Sequence, residues 1–175
     1  APNSNTDRTL VLPDEAGTVL TSASDISASK LTGDVVPSGG ASFLVVAQLA
    51  AQSVTGGVET KVVFDTAMFD VTSEFDLAND YFKPTTAGYY WLSFTVLQAS
   101  GGATYVRHKF YKNGSAYSQP LNSDDSWTQS STLMYLNGTT DYAEIYLQWS
   151  NTQNIYNDAT EARGTHLMGY LVRAS

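Results

Sequence analysis

The sequence predicts an all-β protein, a two-sheet antiparallel sandwich of jelly-roll type. Aromatic side chains recur between residues 64 and 94, where a sandwich needs a few long side chains to fill the gap between its sheets. Residues 89–96 alternate as a strand does, and no segment needs to be a helix. The recurring rings are Phe64, Phe69, Phe75, Phe82, Tyr90 and Phe94.

Composition narrows the class of protein. The chain has 175 residues, enough for one sizeable core and a small appendage, and 42% of them are hydrophobic. Only 15% are charged, while Ser, Thr, Asn and Gly are plentiful, which is typical of extracellular or particle-surface β-proteins. The net charge of −8 repels nucleic-acid phosphates, and no basic run counters it. We therefore expect no nucleic-acid partner.

The absence of cysteine and of long apolar runs limits the covalent bonds and the membrane contacts that we expect of this chain. The chain has no cysteine, which excludes disulfides and cysteine metal sites and favours a microbial or viral source. No apolar run approaches the roughly 18 residues of a membrane span, so we expect no membrane insertion. The chain begins Ala1-Pro2 without Met, and we treat it as a fragment of something longer.

Residues 1–40 differ from the rest. Residues 9–21 are two short apolar pieces around the turn Pro13-Asp14-Glu15-Ala16-Gly17, a unit too small to bury its own apolar face. This unit resembles the short repeats in bacteriophage tail-fibre shafts, and the Ser-rich residues 22–33 resemble the spacers of the same proteins. The alternative is a flexible leader or linker. The Pro/Gly-rich residues 35–40 predict a boundary between this arm, residues 1–40, and a head domain, residues 41–175.

The first half of the head reads as strands joined by turns. Residues 42–51 are nearly continuous apolar and predict the first strand, residues 52–59 a loop, and residues 60–65 the next strand. In the connection over residues 83–88, Pro84 fixes a bend and Gly88 allows close backbone approach. The strand that follows places Tyr90, Leu92, Phe94 and Val96 on one face; Tyr89, Trp91, Ser93 and Thr95 take the other.

The second half continues the pattern. Residues 105–111 predict a strand, Asn113-Gly114 a tight hairpin turn, and the polar residues 116–129 a surface loop. Residues 131–136 predict another strand and residues 137–141 a turn. Residues 142–149 alternate, and residues 166–173 form the closing strand. In the alternating segment Ala143, Ile145, Leu147 and Trp149 share one face, and Tyr142, Glu144, Tyr146 and Gln148 the other.

The aromatic stretch also resembles a family. Its spacing is similar to the pattern F-x5-[ND]-x4-[FYWL]-x6-F-x5-G-x-Y-x-F-x-[FY] of the globular heads of the complement C1q and tumour-necrosis-factor superfamily. Every gap is kept, and one position departs, Leu92 for a Phe. The matching residues are Phe64, Asp70, Phe75, Phe82, Gly88, Tyr90 and Phe94. The likeness extends over roughly residues 43–173 and implies a jelly roll that assembles as a compact homotrimer. The alternative is an unrelated sandwich with core aromatics.

The sequence also supplies an interface for the implied trimer. Several rings and a methionine are predicted together on the sheet face opposite the core, where they form one surface with too many apolar groups to be left to water alone. These trimer-interface candidates are Tyr89, Trp91, Tyr142, Tyr146, Met168 and Tyr170.

Catalytic and metal chemistry find little support. His108 and His166 lie on predicted strands, and no Gly-x-Ser-x-Gly elbow supplies a nucleophile. We therefore expect a protein that is not an enzyme and holds no cofactor. Loop carboxylates at Asp124, Asp125 or Asp158 are of the type that calcium prefers, but no ligand motif matches, so no metal site is placed.

Recognition is the chemistry that remains. Trp127 lies in the predicted polar loop beside Asp124 and Asp125, with Tyr117 upstream, and a ring flanked by carboxylates and amides suits a sugar. Asn151, Asn154 and Tyr156 offer similar groups further on. The alternative places Trp127 folded back over the sandwich edge. These seven residues are the receptor-binding candidates.

Together these features predict a trimeric receptor-binding head at the tip of a bacteriophage fibre, exposed on the virion or outside the cell. Its partners would be the rest of the fibre and a host-surface carbohydrate or protein. No Gly-X-Y collagen repeat precedes the head, and the fibre-like arm stands in its place. The alternatives are a purely structural trimerisation knob, a secreted lectin-like module and an enzyme acting on glycans.

Overall fold

The computed structural model describes residues 41–47, 52–98, 102–123, 127–156 and 164–175. These residues form thirteen strands and no helix, as the sequence predicts. The strands are β1 Ser42–Ala47, β2 Ser53–Val54, β3 Thr60–Lys61, β4 Phe64–Asp70, β5 Phe75–Asp76, β6 Tyr81–Phe82, β7 Gly88–Gln98, β8 Val106–Lys112, β9 Ser115–Ser123, β10 Trp127–Leu136, β11 Ala143–Trp149, β12 Gln153–Tyr156 and β13 His166–Ala174.

The strands pair antiparallel in two sheets, which makes the predicted sandwich. In sheet I, β7 is central: β10 pairs along one edge, and β13 and then β12 along the other. Sheet I continues from β13 through β1 to β4, and β2 joins β12. Sheet II runs in the order β5, β6, β11, β8, β9, with β3 also pairing with β11. Both faces of the molecule are therefore sheet surfaces.

The predicted aromatic core is confirmed with one exception. Phe64, Phe75, Phe82, Tyr90 and Phe94 are all buried between the sheets. Phe43 joins them, with its ring stacked on Phe82 at 4.4 Å between centroids, and edge contacts continue the cluster to Phe64 and Phe94. Such ring pairs add to the burial of apolar area.

Phe69 is the exception: the prediction that it fills the core is wrong. Its side chain is 49% exposed, and it stands opposite Leu44 on the outward face of sheet I. The pairing of β1 with β4 shifts register at two points, between Leu44 and Val45 and between Val46 and Ala47. Phe69 lies five residues after Phe64, an odd separation, so alternation along β4 already places the two rings on opposite faces, and the two register shifts together leave that relation unchanged. The prediction failed because it used the recurrence of rings without asking which face each one takes.

Alternation does hold in β7 and β11. Tyr90, Leu92, Phe94 and Val96 are buried, and so is the predicted inner row of β11. Leu92, the departure from the family pattern, packs against a glycine: a Cβ on Gly169 would lie 2.6 Å from Leu92 Cδ2 and 2.9 Å from Phe43 Cε1. The leucine, Phe43 and the glycine are fitted to one another.

Two polar residues of the pattern hold backbone in place. The Asp70 carboxylate accepts a hydrogen bond from Phe75 N through Oδ2 at 2.8 Å, which ties the turn between β4 and β5. The Tyr90 hydroxyl donates to the carbonyl of Thr86 at 2.7 Å and ties the entry of β7 to the connection before it. Asp70 and Tyr90 therefore each fix the backbone of the connection next to their own strand.

Gly88 is required by close approach, as predicted. A Cβ at this position would overlap the carbonyl oxygen of Arg173 and lie 2.7 Å from Leu171 Cδ1, because β13 passes directly beside it. We expect Gly88→Ala to destabilise the head by about 2–3 kcal/mol, since neither backbone can move away without breaking the β7–β13 ladder. Urea unfolding measures this, and Ala67→Gly in the exposed part of β4 serves as a control with about 1 kcal/mol of intrinsic effect. A Gly88→Ala midpoint equal to that of wild type would contradict the contact.

Asparagine builds two turns, the hairpin turn between β8 and β9 and the connection from β10 in sheet I to β11 in sheet II. Asn113 and Gly114 both have positive φ, 52° and 73°, which is the backbone of the predicted Asn-Gly turn. Asn137 Oδ1 accepts hydrogen bonds from the backbone N–H groups of Thr139, Thr140 and Asp141. Asn113 Nδ2 also donates to Asp141 at 2.7 Å, so the two turns are held together at one end of sheet II.

Two segment predictions are wrong. Residues 116–129 are not a surface loop, because they lie largely in β9 and β10, and residues 52–59 contain the short strand β2. The predicted arm and boundary, residues 1–40, and the end of the first predicted strand, residues 48–51, fall outside the described residues.

Candidate binding surfaces

His108 lies in the core and supplies no open chemistry. It is fully buried, with Nδ1 2.6 Å from Ser130 Oγ and Nε2 2.8 Å from Thr128 Oγ1. Burial lowers the pKa of this imidazole to about 3, so it is neutral at physiological pH. A neutral ring has one donor and one acceptor nitrogen, and the two hydroxyls satisfy both. The role of His108 in this geometry is therefore structural.

The outer face of sheet I carries a broad apolar surface. Directly opposed residues on β10, β7 and β13 form two rows, Leu133–Trp91–Tyr170 and Ser131–Ser93–Met168, and the second row continues to Leu44 and Phe69. Ring pairs within it are Tyr89–Tyr135 at 5.4 Å and Trp91–Tyr170 at 5.6 Å. We call this surface the aromatic face; its members are Leu44, Phe69, Tyr89, Trp91, Leu133, Tyr135, Met168 and Tyr170.

Nothing in the described part of the chain covers the aromatic face. Tyr89, Leu133 and Tyr170 are each 45–51% exposed. Isolated soluble proteins rarely expose contiguous apolar patches beyond a few hundred Å². Four predicted interface residues, Tyr89, Trp91, Met168 and Tyr170, lie together here.

The other two interface candidates do not share this surface. Tyr142 directly precedes β11 and Tyr146 lies in it, and both face outward from sheet II, on the opposite side of the sandwich. The expectation of one six-residue surface is therefore wrong. Alternation along a strand tells which face of its own sheet a residue takes, but not which of the two sheets the strand joins.

The receptor-binding candidates divide as well. Trp127 is paired with Leu97, and Leu97 on its other side with Tyr156, so all three lie in one row across β10, β7 and β12. Trp127 is 53% and Tyr156 40% exposed, and strand spacing puts them about 10 Å apart. Asn154 is exposed two residues before Tyr156 on the same face. We call this row, with Asn154, the Trp127 end of sheet I; it lies about 20 Å along β7 from Trp91.

The other two described candidates, Tyr117 and Asn151, are not in this row. The Tyr117 hydroxyl donates to the carbonyl of Leu133 at 3.1 Å, six residues along β10 from Trp127. Asn151 donates through Nδ2 to the carbonyl of Gly102 at 3.2 Å. Asp124 and Asp125 fall outside the described residues. The five described candidates therefore do not all lie in one site.

The outer face of sheet II differs in character, because it gathers basic side chains. Of the six Lys and Arg residues in the described part of the chain, all but Arg173 lie on this sheet or next to it, and sequence reasoning missed the cluster. The five are Lys61, Lys83, Arg107, Lys109 and Lys112. They come from β3, from the residue after β6 and from β8, which are far apart in sequence, so no basic run marks them.

Most of these cations are paired. Lys109 bonds Glu59, and Lys112 Nζ lies 2.8 Å from Asp141 Oδ2. Hydrogen bonds from Lys109 and Tyr111 lower the pKa of Glu59, and bonds from Lys112 and Asn113 lower that of Asp141. Lys83 has no ion-pair partner among the described residues.

A shallow groove of about 330 Å³ opens in this face. The rings of Tyr81 and Tyr142 meet on it at 5.1 Å between centroids, and Lys61 Nζ lies 5.9 Å from the Tyr81 ring. Its lining residues are Lys61, Asn79, Tyr81, Lys83, Thr140, Tyr142 and Glu144. We call it the tyrosine groove.

The described residues provide neither a cluster of metal ligands nor a helix that could span a membrane. No group of three or more His, Cys, Asp or Glu side chains in the described ranges is placed to hold a metal ion. None of the described residues belongs to a helix long and apolar enough to cross a membrane.

Comparison with known proteins agrees with the geometry. Residues 43–172 match the family model described as the C1q domain. No curated protein sequence matches the chain.

Solved structures share the fold at low sequence identity. Murine APRIL at pH 8.0 superposes with a TM-score of 0.56 at 14% identity, over 76% of this chain and 99% of that one. Eiger TNF from S. frugiperda gives 0.53 at 8% identity, over 78% of this chain and 95% of that one. The globular domain of zebrafish complement 1qA protein gives 0.47 at 15% identity, over 78% and 99%. At such identity the first two likenesses show the jelly-roll fold.

Proposed function

Because the chain belongs to the C1q domain family, we propose that it is a trimeric, non-enzymatic receptor-binding head at the tip of a bacteriophage fibre. Heads of the C1q and tumour-necrosis-factor type are typically trimeric binding modules, generally without enzymatic activity. The finer role proposed here is attachment to a carbohydrate or protein of the host surface. The observation that carries the proposal is the uncovered aromatic face.

The aromatic face supports assembly by burial. The tilted rings of Trp91 and Tyr170 pack together at the middle of this face, and Leu133, Met168 and Leu44 lie around them. Each of these side chains would lose contact with water if sister copies packed against sheet I. Burial of apolar area is the main favourable term in association. Sheet II cannot substitute, because Lys61 and Lys109 with their acidic partners occupy its outer face. We therefore assign the trimer contact to sheet I.

The fibre context rests on the sequence of residues 1–40. Two short apolar pieces around a Pro-Asp-Glu-Ala-Gly turn resemble the shaft repeats of phage fibres, in which three chains wrap around one another. A trimeric head fits the end of a three-chain shaft. Three receptor sites per head, and several fibres per particle, would give avidity from weak individual contacts.

We place one receptor contact at the Trp127 end of sheet I. Trp127→Ala should reduce binding of the fluorescently labelled 175-residue protein to susceptible bacteria by about tenfold or more, because one exposed aromatic anchor is worth about 1–3 kcal/mol and the loss repeats in every subunit. Binding is measured on whole cells, with a panel of bacterial strains screened first to find one that the wild type binds.

Tyr117→Ala is the matched control, because Tyr117 is also an exposed ring on sheet edges but is held to Leu133 away from that end. Equal binding by Trp127→Ala and wild type would overturn the placement of this contact. A wild-type protein that is trimeric yet binds no strain would favour the alternative, a structural knob that registers the fibre shaft.

A further inference from the structure

We propose that the tyrosine groove on sheet II is a second binding site, for a pyranose sugar that carries a carboxylate. This inference rests on the proposed function, because it names the sugar class that a host-surface glycan would present. It concerns residues on the opposite side of the sandwich from the Trp127 end. None of the groove residues except Tyr142 was singled out from the sequence as a candidate for contact.

An unpartnered buried carboxylate oxygen lines the groove. Glu144 is 7% exposed, and its Oε1 lies 2.7 Å from Lys61 Nζ. Its Oε2 is buried and has no hydrogen-bond partner within the described residues. A buried acceptor without a donor is unfavourable, so the Glu144 carboxylate gains a hydrogen bond if it turns Oε2 toward a ligand O–H group in the groove. Sugar hydroxyls are donors of this kind.

The rings above Glu144 supply the apolar part of a sugar site. Tyr81 and Tyr142 stand 5.1 Å apart at a 42° angle and are half-buried, so part of each ring remains open to the groove. The C–H face of a pyranose ring packs on such surfaces. A hydrogen bond to Asp76 raises the pKa of the Tyr81 hydroxyl, which therefore stays protonated.

Charge selects the acidic sugar. Two ammonium groups, Lys61 and Lys83, line the groove against the single carboxylate of Glu144, in a protein whose net charge is −8. Lys61 Nζ uses two of its three N–H groups within the protein, donating to Glu144 and to the carbonyl of Asn79 at 2.6 Å. Lys83 is exposed and has no ion-pair partner within the described residues. A ligand carboxylate therefore has one free cation to pair with at the edge of the groove.

The neighbouring acids set the direction of the ligand. Glu74 and Asp76 line an adjoining depression that shares Tyr81 and Lys83 with the groove. Glu74 is engaged by Thr85 and Thr72, and Asp76 by the Asn79 side chain and backbone. Their charge disfavours an anion on that side, so the ligand carboxylate is expected toward Lys83 from the side of Tyr142 and Lys61.

The test is calorimetric titration of the 175-residue protein with a galacturonic acid trisaccharide and with the galactose trisaccharide. We expect the acidic sugar to bind about tenfold tighter or more. Lys83→Ala should weaken it about tenfold and remove the preference. Lys112→Ala removes the same charge from the same sheet outside the groove and should leave binding within twofold. Tyr142→Ala should weaken both sugars about tenfold, while Tyr142→Phe keeps the ring and should bind like wild type.

Each result decides the inference. No wild-type binding of the acidic trisaccharide, equal affinity for the two sugars, or unchanged binding by Lys83→Ala and Tyr142→Ala would overturn it. If the protein still adsorbs to cells through Trp127 in that case, the proposed function stands and only the groove assignment fails. If neither sugar nor any cell is bound, both fail.

Discussion

Lowering the pH from 7.5 to 5 should reduce the free energy of unfolding by about 2 kcal/mol per chain, because of His108 alone. Burial holds its pKa at about 3 in the folded head, below the usual histidine value of 6.5. The unfolded chain therefore takes up a proton near pH 6.5, and the folded chain does not until about pH 3. Stability from this group is complete above pH 6.5 and falls as the pH drops to 3, by about 1.4 kcal/mol per unit.

The pH range from 7.5 to 5 separates the effect of His108 on stability from the effect of the carboxylates. Glu59, Asp76 and Asp141 also have lowered pKa values, and their contribution is present above their unfolded values, 4.5 or 3.8, and lost only as the pH falls further. Urea unfolding at pH 7.5, 6 and 5 reads the histidine effect before these groups titrate.

Two histidine variants make the assignment specific. His108→Gln should be less stable at pH 7.5, because Ser130 and Thr128 lose a fitted partner, but its stability should change little between pH 7.5 and 5. His166→Gln, at the only other histidine of the sequence, is the control substitution for the loss of an imidazole. A wild-type curve that is flat from pH 7.5 to 5 would contradict the buried, neutral His108.

His108 also explains why part of the fold could not be predicted from the sequence. β10 alternates properly, but its inner residues near this histidine are Thr128 and Ser130, whose hydroxyls hold the ring. A strand with polar side chains on both faces has no apolar period, so residues 116–129 look like a loop. The partner that makes those hydroxyls core residues lies twenty positions away.

Strands β7 and β11 were predictable because each buries one apolar face. The close backbone contact at Gly88 was predictable because a glycine before an aromatic strand marks such an approach. The two binding surfaces were less so. Trp127 and Tyr156 lie in one row only because β10 and β12 both pair with Leu97 of β7. The groove gathers Lys61 from β3, Lys83 from the residue after β6 and Glu144 from β11. Pairing order between distant strands is set by tertiary packing, which local pattern does not record.

Replacing Trp91 with arginine should convert the trimer to monomers at micromolar concentration. Trp91 is half-buried within one subunit, flanked by Leu133 and Tyr170 at the middle of the aromatic face. Central aromatic residues are typically the anchors of an interface, and truncating one costs about 2–4 kcal/mol. An unpaired guanidinium in their place adds its own desolvation. Each of the three contacts in the trimer would lose this amount, so dissociation should be complete. Sedimentation velocity measures it directly.

The control places the same change on the other sheet. Tyr146 is also a half-buried ring, packed on Tyr111 at 4.2 Å, but it faces outward from sheet II beside Lys61 and Lys109. Tyr146→Arg should therefore remain trimeric while Trp91→Arg does not, and circular dichroism should show β-structure in both. Dissociation of both variants would mean that the substitutions act through stability. Dissociation of Tyr146→Arg alone would move the interface to sheet II. A wild-type protein that sediments as a monomer at these concentrations would contradict the proposal that sister subunits cover the aromatic face. The proposed fibre-tip role, which depends on a trimeric head, would then fail as well.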